Sequence, residues 1–562
     1  HIYTQNDVML KQKEVALNHM TIGTHESSNQ ALNFTTRPIR DWEDIEDIDD
    51  NRLDAIPAEL IGKREKDTRL MADRVDIRGP PSLKAKLRDM VNRYDDIFSD
   101  SVNPIPATIE PFTMRVDRKA WQIPANGQGI KRMDKTRQDA LKVQIEEMLR
   151  LGVIRESRAG YYSHGFLVPK KNNKWRLVID YKGLNKVTER VGWPIPNIQD
   201  LLAKIGAQKP KYFGVMDLTS GYHQAPIHES CIPFTAFLTP FGLYEWVRLA
   251  MGLAGAPSYF QRVMCTEVLA GLHGVICFLY LDDLIVTGRT EDEYLDNMQR
   301  IFHRLREKGL TLNPAKCTLG AEEVEYVGHV INATGIHFER SKLDSILTWE
   351  RPSNQKQLKR FLGVVNWFHG SVVGHSTIVA PLNKLLKNYN KSAKIEWSAE
   401  TLLAFETIKT AVHECPTLFY MDDTSPIIME TDASQYGIGA ILYQKVNEQT
   451  KHPVAIMSKA FDERMMRWDT AQKEGYAIFY ALTKWEHLLR DRHFTILTDH
   501  RNLRYLRDTY GQSGKVQRWF ACFQSFDYTL IHIQGERNEV ADGLSRCCTP
   551  PSSTNELVLA HI

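Results

Sequence analysis

Apolar positions recur along the chain with two periods, near two and near 3.6 residues, and Gly, Pro and acidic residues mark where one gives way to the other. The strongest pattern is Val275–Val286, read V-I-C-F-L-Y-L-D-D-L-I-V. Two β-favouring runs flank Asp282 and Asp283 without Gly or Pro, which predicts two strands with the acids at a hairpin turn. Leu83–Phe98 and Arg137–Leu151 carry helical periodicity, the second stopped by Gly152. Phe166–Lys171 and Lys174–Asp180 predict strands joined by Asn172-Asn173, and Tyr212–Asp217 a strand that ends in an acid. Arg78-Gly79-Pro80-Pro81 and Pro104, Pro106 and Pro111 punctuate the region before them. Gln355–Lys387 reads as helices with Lys356, Lys359, Arg360, Lys384 and Lys387 among apolar residues, and Glu396–Pro416 as a connecting helix. A second pattern begins near Phe419: strand, turn, strand over Ser425–Gln444, a helical stretch Thr470–Leu489, and a strand Phe494–Thr498.

The acids change this picture from architecture to chemistry. Two carboxylates between buried strands are costly without a positive partner. No basic residue lies beside Asp282 and Asp283, so a divalent cation is the natural partner, and hard oxygen ligands favour Mg²⁺. Asp217 adds a third carboxylate from a second strand, the number that a two-metal phosphoryl-transfer site uses. The plain alternatives are an acidic turn and, for Asp217, a helix cap. Lys170, Lys171, Lys174 and Arg176 cluster on one predicted hairpin, either as a solvated basic turn or as a cradle for polyphosphate. In the second pattern Asp432, Glu474, Asp499 and Asp542 end, begin or sit on separate elements.

Composition narrows the classes further. A chain of 562 residues predicts several domains, and a net charge of +2 excludes a wholly basic nucleic-acid coat while leaving room for a basic groove. The longest apolar run is the acid-interrupted hairpin, too short to span a bilayer, so no membrane partner is expected. The N-terminus has neither a signal-peptide layout nor an initiator Met, which reads as a processed or excised chain. Eight cysteines without a C-x-x-C or Cys/His cluster predict reduced thiols and no zinc site. Asp41–Asp54 is an acidic run, read as a solvated or interaction segment. No Asp-Thr/Ser-Gly protease motif or zinc-finger integrase pattern is present in these residues.

Several ordered blocks resemble a known family. Lys174–Thr188 (KWRLVIDYKGLNKVT), Met216–Gln224 (MDLTSGYHQ), Thr235-Ala236-Phe237 and Tyr280–Asp283 (YLDD) follow the order and spacing of reverse transcriptases. Leu305–Cys317, Tyr326–Gly335 and Phe361–Phe368 are similar to the gypsy-type (Metaviridae) long-terminal-repeat retrotransposons. Thr431–Ser434, Lys473-Glu474, Thr498–His500 and Asn538–Arg546 resemble the ribonuclease H domain of the same family. The resemblance runs from about Leu83 to Arg546.

It implies an α+β chain, a right-hand polymerase of fingers, palm and thumb followed by an α/β ribonuclease H-like domain. The expected layout is an N-terminal segment without assigned role at 1–100, fingers and palm at 101–320 and thumb at 321–400. A linker at 401–420, ribonuclease H at 421–546 and a Ser/Thr/Pro-containing tail at 547–562 complete it. A chain starting near Ser82 is expected to keep polymerase activity. Residue by residue, Asp217, Asp282 and Asp283 match the family's metal-binding carboxylates. Lys170, Lys171 and Arg176 match groups that meet the incoming triphosphate, and Tyr222 the side chain under the sugar. Met251 and Gly252 match the segment beside the nascent base pair, and Val327 and Gly328 the turn that grips the primer. Asp432, Glu474, Asp499 and Asp542 match the nuclease carboxylates. His532 falls where related nucleases carry a histidine that aids product release, or is a strand histidine without a role.

The implied function is an RNA- and DNA-templated DNA polymerase with a ribonuclease H, using two Mg²⁺ per active site, with Mn²⁺ able to substitute. Implied partners are RNA template, DNA, RNA/DNA hybrid, dNTPs, a tRNA or other RNA primer and a second copy as homodimer. The implied location is cytoplasmic, within virus-like particles. A pararetrovirus replicase would share the chemistry. A catalytically silent nucleic-acid-binding subunit would have no chemical need of seven carboxylates. Three positions depart from the family pattern: Leu249–Leu253 reads L-A-M-G-L where M-P-F-G-L is usual, Phe234 replaces a common Lys, and Gly255 a usual Asn.

Overall fold

The computed structural model describes residues 71–122, 133–170, 174–189, 192–372, 374–387, 389–390, 393–422, 424–447, 450–499, 514–534, 538, 541 and 544–545. Lys171, Asp542 and the side chain of Lys170 lie outside what it describes.

The hairpin that dominates the sequence sits at one edge of a five-stranded sheet. Its strands run Asp76–Ile77, Thr318–Ala321, Tyr212–Asp217, Asp283–Gly288 and Cys277–Tyr280. Alternation along these strands splits the apolar side chains between two faces. Phe213, Phe278 and Ile285 pack with Leu201, Leu202 and Ile205 of the helix Ile198–Ala207. Met216, Leu279, Leu284 and Val286 join the largest core, with Leu83 and Leu87 of the helix Pro81–Arg93 and Phe302 of the helix Glu291–Lys308. Burying each such side chain is worth about 1.5–3 kcal/mol. That is why this sheet tolerates acids at its end.

The N-terminal expectation is corrected for residues 71–100. Asp76 N donates to Cys317 O at 3.1 Å and Arg78 N to Leu319 O at 2.8 Å, so this stretch forms the parallel edge of the acid-bearing sheet. Residues 1–70 lie outside the described residues.

A second five-stranded sheet orders Ile154–Glu156, Gly242–Trp246, Phe237–Thr239, Ser163–Lys170 and Lys174–Asp180. The helix Lys135–Arg150, capped by the Asp134 carboxylate on Arg137 N at 2.8 Å, packs against it, and its Gln144 bonds Trp175 O and Leu177 N. A four-stranded sheet follows, Glu323–Tyr326, His329–Asn332, Gly335–His337 and Leu418–Phe419.

The stretch expected as a linker at 401–420 is instead structural. The helix Ala399–His413, started by a Ser398/Thr401 capping box, buries Ala404, Phe405, Ile408, Ala411 and Val412 in one core with Leu358, Phe361 and Leu382. Leu418–Phe419 then closes the four-stranded sheet. Its apolar residues serve a helical core, which a connecting segment does not need.

The C-terminal sheet orders Lys451–Ala460, Gly437–Lys445, Ile427–Ala433, His493–Thr498 and Asp527–His532. The first three strands are antiparallel and the last two join in parallel. The helices Thr470–Lys484 and Gly514–Phe523 cover one face, with Phe479 and Trp519 stacked 5.8 Å apart. Among the described residues no helix is long and apolar enough to cross a membrane.

Candidate active sites

The first site forms where two antiparallel strands bring their acids level, with Asp217 opposite Asp283. The hairpin pairs Tyr280 with Asp283, so the turn itself is Leu281-Asp282 and Asp283 is already strand. Leu281 has φ of 57°, a left-handed conformation that is costly for a branched side chain. Gln261, 1% exposed on the helix Ala256–Val263, holds it there. Its Nε2 donates to Leu279 O at 3.1 Å and its Oε1 accepts from Leu281 N at 2.7 Å. The strain is therefore compensated by a buried amide, and the turn presents Asp282 in one fixed place.

Burial, with the charges of Asp282 and Asp217 adding, raises the Asp283 carboxyl to about 6, against a smaller opposing effect of Lys316. Lys316 Nζ lies 2.8 Å from Asp217 Oδ2, and its charge also reaches Asp283. The remaining negative charge and the all-oxygen donor set fit a hard divalent cation.

Of the other expected site residues, Tyr222 stacks on Phe260 with centroids 5.1 Å apart and rings 16° from parallel. Met251 is 45% exposed, and Gly252, at φ of 89°, accepts at its carbonyl from Asn185 Nδ2 at 2.9 Å. Arg176 is exposed on the strand Lys174–Asp180, opposite Val168. Lys170 ends the neighbouring strand in register with Lys174. Val327 and Gly328 form the two-residue turn between Tyr326 and His329, with φ of 48° and 76°.

The second site lies at the carboxyl ends of two adjacent parallel strands, where open α/β sheets bind ligands. Asp432 is near the end of Ile427–Ala433, and Asp499 directly follows His493–Thr498. The helix Thr470–Lys484, capped by Asp469 on Gln472 N, brings in Glu474. The three offer ligand atoms within 4.8 Å of one another.

Glu474 Oε1 accepts from Ala433 N at 3.1 Å, whereas Oε2 is buried with no hydrogen-bond partner among the described residues. Burial first, then the charges of Asp432 and Asp499, push the Glu474 carboxyl well above the carboxylate range. An orphaned buried oxygen in a set of three acids fits a bound cation. His532 Nε2 lies 2.9 Å from Asp499 O, at the end of the strand beside Asp499. Ser545 Oγ donates to Asp432 Oδ2. It gets that close because Gly439 lacks a side chain: a Cβ there would lie 2.5 Å from Ser545 N. Asp542 lies outside the described residues.

Sequence reading missed Gln261, Lys316, Asn185 and Ser545. Each acts through contacts distant in sequence, which leave no periodic trace. Lys316 follows Pro314 in N-P-A-K-C and reads as a solvated turn lysine.

Comparison with known proteins adds to this geometry. Residues 168–331 match the family described as reverse transcriptase (RNA-dependent DNA polymerase), and residues 422–526 the RNase H-like domain found in reverse transcriptase. The retrovirus-related Pol polyprotein from transposon 297 of Drosophila melanogaster is 34% identical over 72% of this chain and 38% of its own length. The transposon Tf2-3 polyprotein of Schizosaccharomyces pombe is 30% identical over 82% of this chain and 34% of its own. The chain thus spans little more than a third of the curated relatives it matches. The foamy viral protease–reverse transcriptase in complex with dsDNA shares the fold, with TM-score 0.70 and 22% identity over 83% of this chain and 96% of that one.

Fold and matches together define a right-hand polymerase domain of the reverse transcriptase class followed by a ribonuclease H-like domain. The order of the two domains and the transposon relatives make the assignment more particular. The chain belongs to the reverse transcriptase–ribonuclease H family of gypsy-type long-terminal-repeat retrotransposons.

Proposed function

We propose that the chain makes DNA on RNA and DNA templates and degrades RNA in RNA/DNA hybrids during retrotransposon replication. The observation that carries this reading is two carboxylate sets on two separate sheets of one chain, Asp217/Asp282/Asp283 and Asp432/Glu474/Asp499. Asp217 and Asp282 would hold Mg²⁺ or Mn²⁺ in the polymerase with Asp283 in support, and Asp432, Glu474, Asp499 and Asp542 would do so in the nuclease. When bound, such ions acidify the attacking hydroxyl or water and neutralise charge on the departing oxygen.

The chain's own groups do the rest. Arg176, with Lys170 and Lys171, holds the triphosphate in line through charge-assisted hydrogen bonds. Tyr222, braced by Phe260, lies under the incoming sugar and leaves no room for a 2′-hydroxyl. Met251 and Gly252 border the nascent base pair, and the Val327-Gly328 turn seats the primer end. The exposed Lys359, Arg360, Lys384 and Lys387 face duplex phosphates. In the nuclease, hybrid geometry and the ribose 2′-hydroxyl select the substrate, and His532 beside Asp499 aids product departure.

The partners that fit are RNA template, DNA, hybrid, dNTPs and a tRNA or other RNA primer, with a second copy forming a homodimer. The setting that fits is cytoplasmic virus-like particles. A gel assay of primer extension and hybrid cleavage on the purified chain tests the reading. Both activities are expected in Mg²⁺ or Mn²⁺ and neither in Ca²⁺, which is larger and looser in its geometry. Inactivity of a folded chain in Mg²⁺ on both substrates would overturn it.

A further inference from the structure

One buried hydroxyl joins the primer turn to the acid-bearing hairpin. Tyr326 is the last residue of the strand Glu323–Tyr326, directly before the Val327-Gly328 turn. It is 1% exposed, and its ring packs in a core with Phe213, Phe278 and Ile285, against which Tyr280 and Val327 also rest. The phenol oxygen donates to the backbone carbonyl of Asp283 at 3.3 Å.

The turn is braced from its other side. A Cβ on Gly328 would lie 2.9 Å from Trp367 Cζ2, so only glycine lets the turn sit on that indole. Trp367 belongs to the short turn Asn366–Phe368, whose Phe368 is buried in the helical core of residues 338–412. Val327 is β-branched and left-handed, a conformation that persists only where its surroundings enforce it. A continuous packed path therefore runs from Trp367 through the turn and Tyr326 to the backbone of Asp283.

We infer that Tyr326 is a positioning residue that couples the placement of the primer turn to the placement of the catalytic carboxylates. This rests on the polymerase reading above. Tyr326 touches neither substrate nor reacting atoms; it acts through the Asp283 backbone. When the helical domain moves against a primer–template, Trp367 displaces the turn, and the Tyr326 hydroxyl carries that displacement to the hairpin. Chemistry is then favoured when a primer end is seated.

The test is single-turnover primer extension by the full chain, comparing wild type, Tyr326→Phe, Trp367→Ala and the double variant. Phenylalanine keeps the packed ring and removes the hydroxyl that reaches the hairpin backbone. The expected result for Tyr326→Phe is kpol lowered roughly three- to tenfold, the effect of a lost hydrogen bond. Half-saturating Mg²⁺ should rise with it, while the Kd for primer–template and hybrid cleavage stay unchanged. Trp367→Ala should lower kpol in the wild-type background and add nothing to Tyr326→Phe, the signature of a shared path.

Four outcomes would overturn the inference. They are kpol and Mg²⁺ dependence in Tyr326→Phe unchanged within twofold, equal loss of extension and hybrid cleavage, a lowered thermal midpoint with no change in kpol, and additive effects in the double variant. Failure of the wild type to extend any primer would instead remove the polymerase reading itself.

Discussion

Glu474 shows what the nuclease site costs the fold when no cation is bound. Its Oε2 is buried with no hydrogen-bond partner among the described residues, and such a group costs about 1–3 kcal/mol. Its folded pKa is raised, so its stabilising contribution is full below the unfolded value and is lost as pH rises through the folded one. Glu474→Gln removes that charge. Without metal, the variant's thermal midpoint should exceed wild type at pH 8 and converge with it near pH 4, and Mg²⁺ should raise only the wild-type value. Calorimetry at both pH values checks this, and a variant less stable than wild type at pH 8 would contradict it. Tyr222→Val tests a second residue. Removing a ring braced by Phe260 opens space under the sugar, so ribonucleotide insertion should rise while dNTP insertion falls modestly. Each tenfold change in selectivity is about 1.4 kcal/mol of differential transition-state stabilisation. Single-nucleotide insertion of dCTP and CTP measures it, and an unchanged ratio would assign sugar choice elsewhere. Acids such as Asp217 and Asp282 were legible in the chain because apolar runs isolate them. Gln261 and Lys316 were not, because one buried amide and one exposed ammonium look the same in sequence as any other.

Among elements, the long strands and helices follow their periodicity closely. The helix at Lys135–Arg150 and the hairpin at Cys277–Tyr280 and Asp283–Gly288 fall within a residue or two of where the pattern places them. Several elements are not marked by the pattern, the helix Glu291–Lys308 and the strand Lys451–Ala460 among them, and the setting of two others was not legible. The strand Asp76–Ile77 is two residues long and pairs with Thr318 and Leu319, far along the chain, so no local signal marks it. The helix Ala399–His413 is legible as a helix but not as part of a core, because nothing in its own sequence says which core receives it. The first miss changes an experiment. A chain starting at Ser82 loses the strand and both of its hydrogen bonds to Cys317 and Leu319. It also uncovers the edge of the sheet that carries Asp217 and Asp283, leaving an unpaired strand open to aggregation. Such a chain should melt at lower temperature and lose most primer extension, whereas one starting at Met71 should keep both. Equal stability and activity of the two truncations would show that the edge strand is dispensable.

At the scale of the whole molecule, the two acid clusters sit on sheets with separate hydrophobic cores. The regions meet at Leu418, which is buried in one core with Ile441, Tyr443, Ile456 and Leu544, and at smaller contacts. His487 Nδ1 meets Asp200 Oδ1 at 3.2 Å, and Phe419 stacks on His452 with centroids 4.0 Å apart. None of these contacts includes Asp217, Asp282, Asp283, Asp432, Glu474 or Asp499. Asp282→Asn should therefore stop primer extension and leave hybrid cleavage at wild-type rate. Glu474→Gln should stop hybrid cleavage and leave extension intact. Asn and Gln match the parent side chains in size, so any loss reflects charge and ligand chemistry rather than a cavity. Both variants should be assayed on the same preparation, with circular dichroism as the check on folding. Loss of both activities in either folded variant would mean that the domains share a catalytic requirement. In that case the small contacts at His487 and Phe419 would be the first place to look for it.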